Sequence, residues 1–362
     1  MRLHPLVSIA LALTVAIALL AGAPAPKRTT KPQGMRAALP AAAPADPAEI
    51  TDTALQAALT RIAAAAPGRC GIVALHVNSG RIARVHAVDR MPMASTCKLP
   101  IALAVLDAID HGRLAMDKRV LLRAQDMVPG MGGLGEKSPR GGITLKVHDL
   151  LNAMIVHSDN TACDALLAQV GGPGAVSRWL LNHHVPGIRI ERSELELGND
   201  WYGLTQLPPA ATWSAGAIAK LRTDVAPTAH TTASEAFLHD PRDTGSPEAF
   251  ATLLARLCRR ELLSRTATDT LLAMMARVRT GNARLRAGLP PQVRVYDKTG
   301  TAGTWRDRTP CVNDVGILQL PGGGGTVVIA VMIRDVHGPV ANAEKTIAAA
   351  ARAVFTAWNA PE

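Results

Sequence analysis

Aromatic residues are scarce in this chain of 362 residues: Phe, Trp and Tyr together make up 3% of it, although its net charge is +10. Surfaces that bind single-stranded nucleic acid combine a basic groove with aromatic side chains on which the bases stack. Here five of the basic residues precede residue 37, and the others are scattered among acidic ones. We therefore expect a solvated basic surface and no nucleic-acid partner.

Cysteine is also rare, with five residues in the whole chain. That number is too small for a disulfide scaffold, and being odd it leaves at least one thiol unpaired. No spacing of His and Cys resembles a zinc site. We expect no metal and no cofactor.

No apolar run in the sequence reaches the length of about 20 residues that a typical membrane-spanning helix needs. Residues 6–20 are mainly apolar, follow Arg2 and precede a small-residue segment at 21–25, the pattern of a secretory signal peptide over residues 1–25 rather than a membrane helix. Residues 26–48, rich in Ala, Pro and Lys, predict a flexible linker. We expect a periplasmic or secreted monomer with no stable membrane partner.

Residues 49–362 have the patterns of one globular domain. Two apolar strands flank Asn78-Ser79-Gly80 as in a hairpin. Helical patterns dominate residues 95–278, and a first helix is predicted at 47–66 with Asp46 as its N-cap. Strand patterns return at 293–296, 312–320 and 326–333, before a C-terminal helix at 342–358.

This order predicts an α/β protein of the two-subdomain α+β kind. An antiparallel sheet built from both ends of the chain packs with helices, and an all-helical subdomain spans about 87–275. The cleft between the two subdomains is the expected active site.

The first chemical motif is Ser95-Thr96-Cys97-Lys98, at the start of an apolar helical run. Residues three apart share a helix face, so the Lys98 ammonium can reach the Ser95 hydroxyl. A helix N-terminus also offers free backbone N–H groups to a developing oxyanion. Alone, this motif is weak, because a helix cap followed by an exposed lysine would look the same.

Two further motifs strengthen it. Ser158-Asp159-Asn160 precedes a helix, and Lys298-Thr299-Gly300-Thr301 closes a strand. Each alone could be a turn or an N-cap, but the three in this order are hard to obtain by chance.

With these motifs, residues 49–362 resemble the class A serine β-lactamases. The resemblance implies a serine β-lactamase/penicillin-binding-protein-like fold and hydrolysis of β-lactam antibiotics, hence antibiotic resistance, through an acyl-enzyme on Ser95. It leaves Lys98 and Glu194 as alternative bases for acylation. Ser158 would relay a proton to the ring nitrogen, and the backbone N–H groups of Ser95 and Thr301 would form the oxyanion hole.

Other residues match further family positions. Glu194 matches the carboxylate that activates the deacylating water, and Arg192 with Asp243 matches the ion pair that clamps the neck of the family's Ω-loop. By the same resemblance, the substrate-binding residues are Asn160, Lys298, Thr299, Gly300, Thr301 and Arg284.

Two departures from the family stand out. Glu194 and Asp243 are 49 positions apart, which indicates an insertion at about 199–239 within the Ω-loop. We expect it to form either a flap beside the cleft or a loop facing solvent. Gly198 stands where many members have an asparagine that helps hold the hydrolytic water, so we expect slower deacylation of some substrates.

Other functions share parts of this pattern. A D,D-peptidase or other penicillin-binding protein has the serine, lysine and Lys-Thr-Gly groups but normally lacks the Glu194 loop. A penicillin-sensing module would be acylated without turnover. A plain esterase is disfavoured because no Gly-x-Ser-x-Gly motif is present.

Overall fold

The computed structural model describes residues 47–135 and 142–359. The predicted signal peptide at 1–25, residues 26–46 of the predicted linker and the proposed cap Asp46 lie outside these residues. None of the helices in the described segments is long and apolar enough to cross a membrane.

The described strands are β1 (Ile50–Thr51), β2 (Arg69–His76), β3 (Arg81–Val85), β4 (Met91–Pro92), β5 (Arg119–Leu122), β6 (Ile143–Lys146), β7 (Thr244–Gly245), β8 (Arg294–Thr301), β9 (Arg308–Gln319) and β10 (Thr326–His337). The described helices are α1 (Thr53–Ala64), α2 (Lys98–Asp110), α3 (Val147–Val156), α4 (Asn160–Gln169), α5 (Pro173–Asn182), α6 (Glu194–Tyr202), α7 (Ala215–Thr223), α8 (Pro227–His239), α9 (Pro247–Cys258), α10 (Arg265–Met275) and α11 (Val340–Trp358).

Strands from both ends of the chain form one six-stranded sheet in the order β1-β3-β2-β10-β9-β8, which confirms the predicted two-ended sheet. Four of its five pairings are antiparallel. The exception is the edge pair, in which β1 runs parallel to β3, with Ile50 opposite Arg81. β1 and β3 are parallel because both run opposite to β2, the strand that follows β1 and α1 along the chain.

Both faces of the sheet are covered, so β2 is apolar at nearly every position. Ile72 and Ala74 belong to the core shared with α1 and α11, whereas Val73 and Leu75 belong to the core shared with the helical part. Successive strand residues point to opposite faces. Helix α9, within the range predicted as helical subdomain, packs against β2 and β10.

The predicted first helix is wrong at its start. Ile50 and Thr51 pair with β3, and α1 begins only at Thr53. Asp52 is its N-cap, because its side chain accepts a hydrogen bond of 2.9 Å from the Leu55 N–H.

The segment at 199–239, predicted from the sequence to be an insertion, is largely helical. After α6, the chain passes through a short 3-10 turn at Ala210–Thr212 and then forms α7 and α8 before it reaches Asp243. Helix α8 packs against α6, so the segment folds back on the helix that carries Glu194.

Candidate active site

Ser95 lies in a 3-10 turn, Ala94–Cys97, directly before α2. Ala94 has φ of +44°, a left-handed conformation that an L-residue with a Cβ adopts at a cost. Strand β8 packs against this turn at Gly300, where a Cβ would overlap the Met93 carbonyl oxygen and lie 3.0 Å from the Thr96 nitrogen. Only glycine allows the strand so close, and the contact brings the Lys-Thr-Gly-Thr segment alongside Ser95.

The Lys98 ammonium connects the nucleophile to the other groups of the site. Its Nζ donates to Ser95 Oγ at 3.0 Å, to the Ser158 carbonyl at 2.7 Å and to Asn160 Oδ1 at 2.6 Å. It also lies 3.1 Å from Glu194 Oε1. Burial is the largest single influence on Lys98 and lowers its pKa, but the nearby Glu194 carboxylate, together with Cys163 and Cys97, raises it, and the net pKa is raised. Lys98 is therefore an ammonium in this arrangement.

Glu194 is the first residue of α6, and a residue that sequence reasoning missed holds it there. Asp164 of α4 accepts hydrogen bonds from the Glu194 N–H at 2.7 Å and from the Leu195 N–H at 3.0 Å. Burial and the charge of Glu194 raise the pKa of Asp164 to about 7, although these two N–H groups oppose the shift. Asp164 stands one turn after Asn160 on the same helix, which was the one signal that could have pointed to it.

A second lysine faces Ser158. Lys298 Nζ donates to Ser158 Oγ at 3.0 Å and to the Thr299 carbonyl at 2.9 Å. Burial, and then the charge of Lys98, lower its pKa to about 7. Ser158 has φ of +60°, so its backbone, like that of Ala94, is held in an unfavourable conformation at the site.

Arg284 lies behind β8 and is almost fully buried. It donates to the Gly300 carbonyl at 3.2 Å, to the Asn313 carbonyl at 2.9 Å and to Thr301 Oγ1 at 2.5 Å. Its guanidinium also pairs with Glu344 at 3.2 Å. Most of its donors thus hold β8 at Gly300 and Thr301, and Arg284 also contributes to the lining of the cleft.

Arg192 and Asp243 join the two ends of the loop that contains the insertion. Arg192 Nε donates to Asp243 Oδ2 at 2.6 Å, and both side chains are buried. The backbone N–H groups of Glu191 and Arg192 donate to Asp243 Oδ1 at 2.8 and 3.1 Å. A second ion pair links Arg192 Nη1 to Asp200 at 2.6 Å.

The cleft has a volume of about 630 Å³. The sequence-predicted residues that line it are Ser95, Ser158, Asn160, Glu194, Asp243, Arg284, Thr299 and Thr301. Lys98, Lys298 and Gly300 lie behind this lining, fully or nearly fully buried. No group of three or more potential metal ligands occurs within residues 47–135 and 142–359.

The segment at 199–239 forms one wall of the same cleft, with Trp201, Tyr202, Arg222 and Phe237 among its lining residues. Helix α8 is attached to the turn between β8 and β9: the Trp305 indole N–H donates to Thr231 Oγ1 at 3.1 Å, and its ring lies 3.9 Å from the His230 ring. Of the two alternatives, a flap beside the cleft or a loop in solvent, this placement favours the first.

All five cysteines are buried free thiols. Cys97, next to the Ser95–Lys98 pair, directs its Sγ toward Glu194 Oε1 at 3.9 Å.

Comparison with known proteins agrees with this geometry. Residues 54–358 match the model of the beta-lactamase enzyme family. Beta-lactamase VEB-1 of Pseudomonas aeruginosa is 29% identical over 73% of this chain and 77% of its own length. An ancestral class A beta-lactamase structure is 29% identical with a TM-score of 0.67, over 84% of this chain and 99% of its own.

A structure of PBP-A has a TM-score of 0.68 at 23% identity, over 86% of this chain and 98% of its own, and this likeness concerns the fold alone. The matches to sequence and to structure together identify the chain as a member of the beta-lactamase enzyme family, in its class A serine branch.

Proposed function

We propose that this protein hydrolyses the ring of β-lactam antibiotics through an acyl-enzyme on Ser95, and so gives resistance to them. The observation that carries this proposal is the position of Lys98 Nζ between Ser95 Oγ at 3.0 Å and Glu194 Oε1 at 3.1 Å. This geometry puts a nucleophile, its proton path and the carboxylate needed for turnover in one cluster.

Acylation begins when Ser95 Oγ attacks the β-lactam carbonyl carbon. The hydroxyl proton passes to Glu194, either through a water or through Lys98, which would first give a proton to Glu194. Because Lys98 is charged and touches Glu194, the carboxylate is the final acceptor by both paths. The backbone N–H groups of Ser95 and Thr301 stabilise the oxyanion, each by about 3–4 kcal/mol in comparable hydrolases.

Ring opening breaks the C–N bond and leaves a nitrogen that needs a proton. Ser158 Oγ supplies it and is reprotonated by Lys298, whose ammonium lies 3.0 Å away and has a pKa of about 7. Such a value makes Lys298 a ready proton donor near neutral pH. Asn160 holds the acylamino group of the substrate, and Lys298 with Thr299 and Thr301 faces its carboxylate.

Deacylation completes the cycle. Glu194 first returns the proton that it took from Ser95 to Lys298, through Lys98 and Ser158, so both groups regain their starting charge. A water then gives a proton to the Glu194 carboxylate and adds to the ester carbon. Collapse of the intermediate passes that proton to Ser95 Oγ, releases the product and restores the enzyme. This step separates a hydrolase from a penicillin-binding protein or a penicillin sensor, which would stop at the acyl-enzyme. The Asp164 cap, which fixes the start of α6, supports the assignment of this step to Glu194.

The predicted organisation belongs to the same proposal. Residues 1–25 would be a signal peptide and 26–48 a linker, and the catalytic domain at 49–362 would act in the periplasm or outside the cell as a monomer. The segment at about 199–239 would be an insertion in an Ω-loop closed by Arg192 and Asp243.

The test is a count of product per enzyme. Purified protein is mixed with a chromogenic cephalosporin, and we expect many turnovers from the wild type and none from Ser95→Ala. A single burst from the wild type, equal to the enzyme concentration, would instead identify a protein that is acylated without turnover.

A further inference from the structure

Gly198 and Arg222 pack directly against each other at the wall of the cleft. A Cβ on Gly198 would overlap Nη2 of Arg222 and lie 2.7 Å from its Cζ and 2.8 Å from its Nη1. The guanidinium therefore lies flat against the Gly198 Cα and fills the space that a side chain at position 198 would take. Gly198 is four residues after Glu194 in α6, so the two share one helix face.

Arg222 comes from α7, within the inserted segment, and two hydrogen bonds fix its orientation. Its Nε donates to Asn199 Oδ1 at 2.9 Å, and its Nη2 donates to the Leu195 carbonyl at 2.9 Å. The Tyr202 ring lies 5.7 Å from its Cζ. The guanidinium is thus held to the helix that begins at Glu194.

These two bonds use two of the five N–H donors of a guanidinium. The remaining donors have no protein acceptor within the described part of the chain, although Arg222 is 7% exposed and lines the same cleft as Ser95 and Glu194. Burial lowers the pKa of Arg222, and Tyr202, Asp164 and Glu194 oppose this shift. The negative charge of Glu194 therefore acts on the Arg222 guanidinium and stabilises its charged form.

We propose that Arg222 is a positioning residue that the insertion supplies for deacylation: it donates a hydrogen bond to the oxygen of the water that Glu194 deprotonates. This inference rests on the function proposed above and changes the expectation drawn from Gly198. The glycine does not leave the water without a second partner, because it makes room for a guanidinium from elsewhere in the chain.

The geometry of the reaction is compatible with such a donor. A water oxygen has two lone pairs, of which one accepts from Arg222 and the other attacks the ester carbon of acylated Ser95. One of its protons passes to Glu194. Arg222 keeps its own protons throughout, so it orients the nucleophile without entering the proton balance.

The test separates the two half-reactions in the full-length protein. Acylation is measured by rapid mixing, and deacylation by the decay of the acyl-enzyme in mass spectrometry. For Arg222→Ala we expect deacylation to be roughly tenfold slower or more, with acylation changed by less than about threefold. The control is Lys220→Ala, on the same helix but with its side chain 74% exposed, which should leave both rates unchanged.

A double variant tests whether the role is positional rather than structural. Gly198→Asn combined with Arg222→Ala places an amide in the vacated space, and we expect it to deacylate several times faster than Arg222→Ala alone. Unchanged deacylation in Arg222→Ala would overturn the inference, as would an equal loss in both half-reactions or a double variant without recovery. A wild type that stops after one burst would refute the proposed function instead, so the two failures are distinguishable.

Discussion

The Lys98 ammonium lies 3.1 Å from the Glu194 carboxylate, so the two opposite charges are in direct contact. A charged lysine cannot accept a proton from Ser95. It can, however, pass its own proton to Glu194 and then take the one from Ser95. Alternatively, it can donate a hydrogen bond to Ser95 while a water carries the Ser95 proton to Glu194. In the proposed mechanism, Glu194 is therefore the proton acceptor in both halves of the cycle.

Glu194→Gln should trap the acyl-enzyme. The amide cannot take a proton from the water, so we expect deacylation to slow by about a hundredfold to ten-thousandfold. Mass spectrometry after mixing with a penicillin should show a persistent adduct on Ser95. Glu196→Gln is the matched control, because Glu196 lies on the exposed side of the same helix turn; normal turnover by Glu194→Gln would mean that another carboxylate activates the water.

Asp164→Ala should affect both stability and turnover. It removes the acceptor of the Glu194 and Leu195 N–H groups, although the Ser193 N-cap of α6 remains. Loss of a side-chain acceptor at a helix N-terminus costs about 0.5–2 kcal/mol. We expect a lower unfolding temperature and slower deacylation, with Asp164→Asn between it and the wild type because the amide keeps one acceptor. If Asp164→Ala deacylates at the wild-type rate, the cap does not position Glu194.

The pH dependence of kcat/KM should follow the protonation state of the Lys298 side chain. Its pKa is lowered to about 7 by burial and by Lys98, so the side chain loses its charge as the pH rises through about 7. We expect kcat/KM for substrates with a free carboxylate to fall above this pH, and Lys298→Arg to lose that limb of the profile because arginine stays charged. A carboxylate-esterified substrate serves as the control: an identical decline with it would assign the limb to proton donation by Lys298 rather than to carboxylate binding. A limb that persists in Lys298→Arg would assign it to another group.

The same shift has a consequence for stability. Between about pH 7 and the ordinary lysine value of 10.5, the unfolded chain binds a proton at Lys298 that the folded protein does not. The contribution of Lys298 to the free energy of unfolding therefore rises with pH between about 7 and 10.5. This gain in stability is lost as the pH falls back to about 7. Denaturant unfolding of wild type and Lys298→Met at pH 7 and pH 9 measures the difference, and equal pH dependence in both proteins would contradict it.

Trp305→Ala should weaken the attachment of α8, and with it the cleft wall formed by residues 199–239, to the turn between β8 and β9. It removes the hydrogen bond to Thr231 and the stacking on His230, while the Arg308–Glu235 ion pair at 2.8 Å remains. We expect the ratio of kcat/KM for bulky and small β-lactams to change, with acylation of the small substrate retained. Arg306→Ala, in the same turn, is the control; unchanged ratios in Trp305→Ala would mean that this wall does not select substrates.

The structure brings together residues that the sequence motifs had grouped, because each motif has its own local geometry. Ser95 and Lys98 are three positions apart, and Gly300 follows Lys298 within one strand, so short-range geometry determines what each can reach. The two-ended sheet followed from the positions of its apolar strands. The parallel β1–β3 pair was missed because a two-residue strand has no periodicity to detect.

Asp164 and Arg222 show where such reasoning stops. Asp164 accepts from the first two N–H groups of a helix thirty residues away, in addition to that helix's own N-cap, Ser193. A carboxylate within one helix has no sequence feature that indicates such a contact with another helix. Arg222 depends on how the whole insertion folds against α6. From the sequence, Gly198 indicated only the loss of an asparagine that helps hold the water, and the packing of α7 places the Arg222 guanidinium against that glycine.

The attachment of α8 to the β8–β9 turn limits how this insertion can be moved between proteins. Thr231 and Glu235 on α8 bind Trp305 and Arg308, about seventy residues further along the chain. Gly303 likewise leaves room for the Trp201 indole, whose nitrogen would lie 2.9 Å from a Cβ at that position. A transplant of residues 199–239 into a relative would thus need this distant turn as well, and a graft that omits it should fold without recreating the wall.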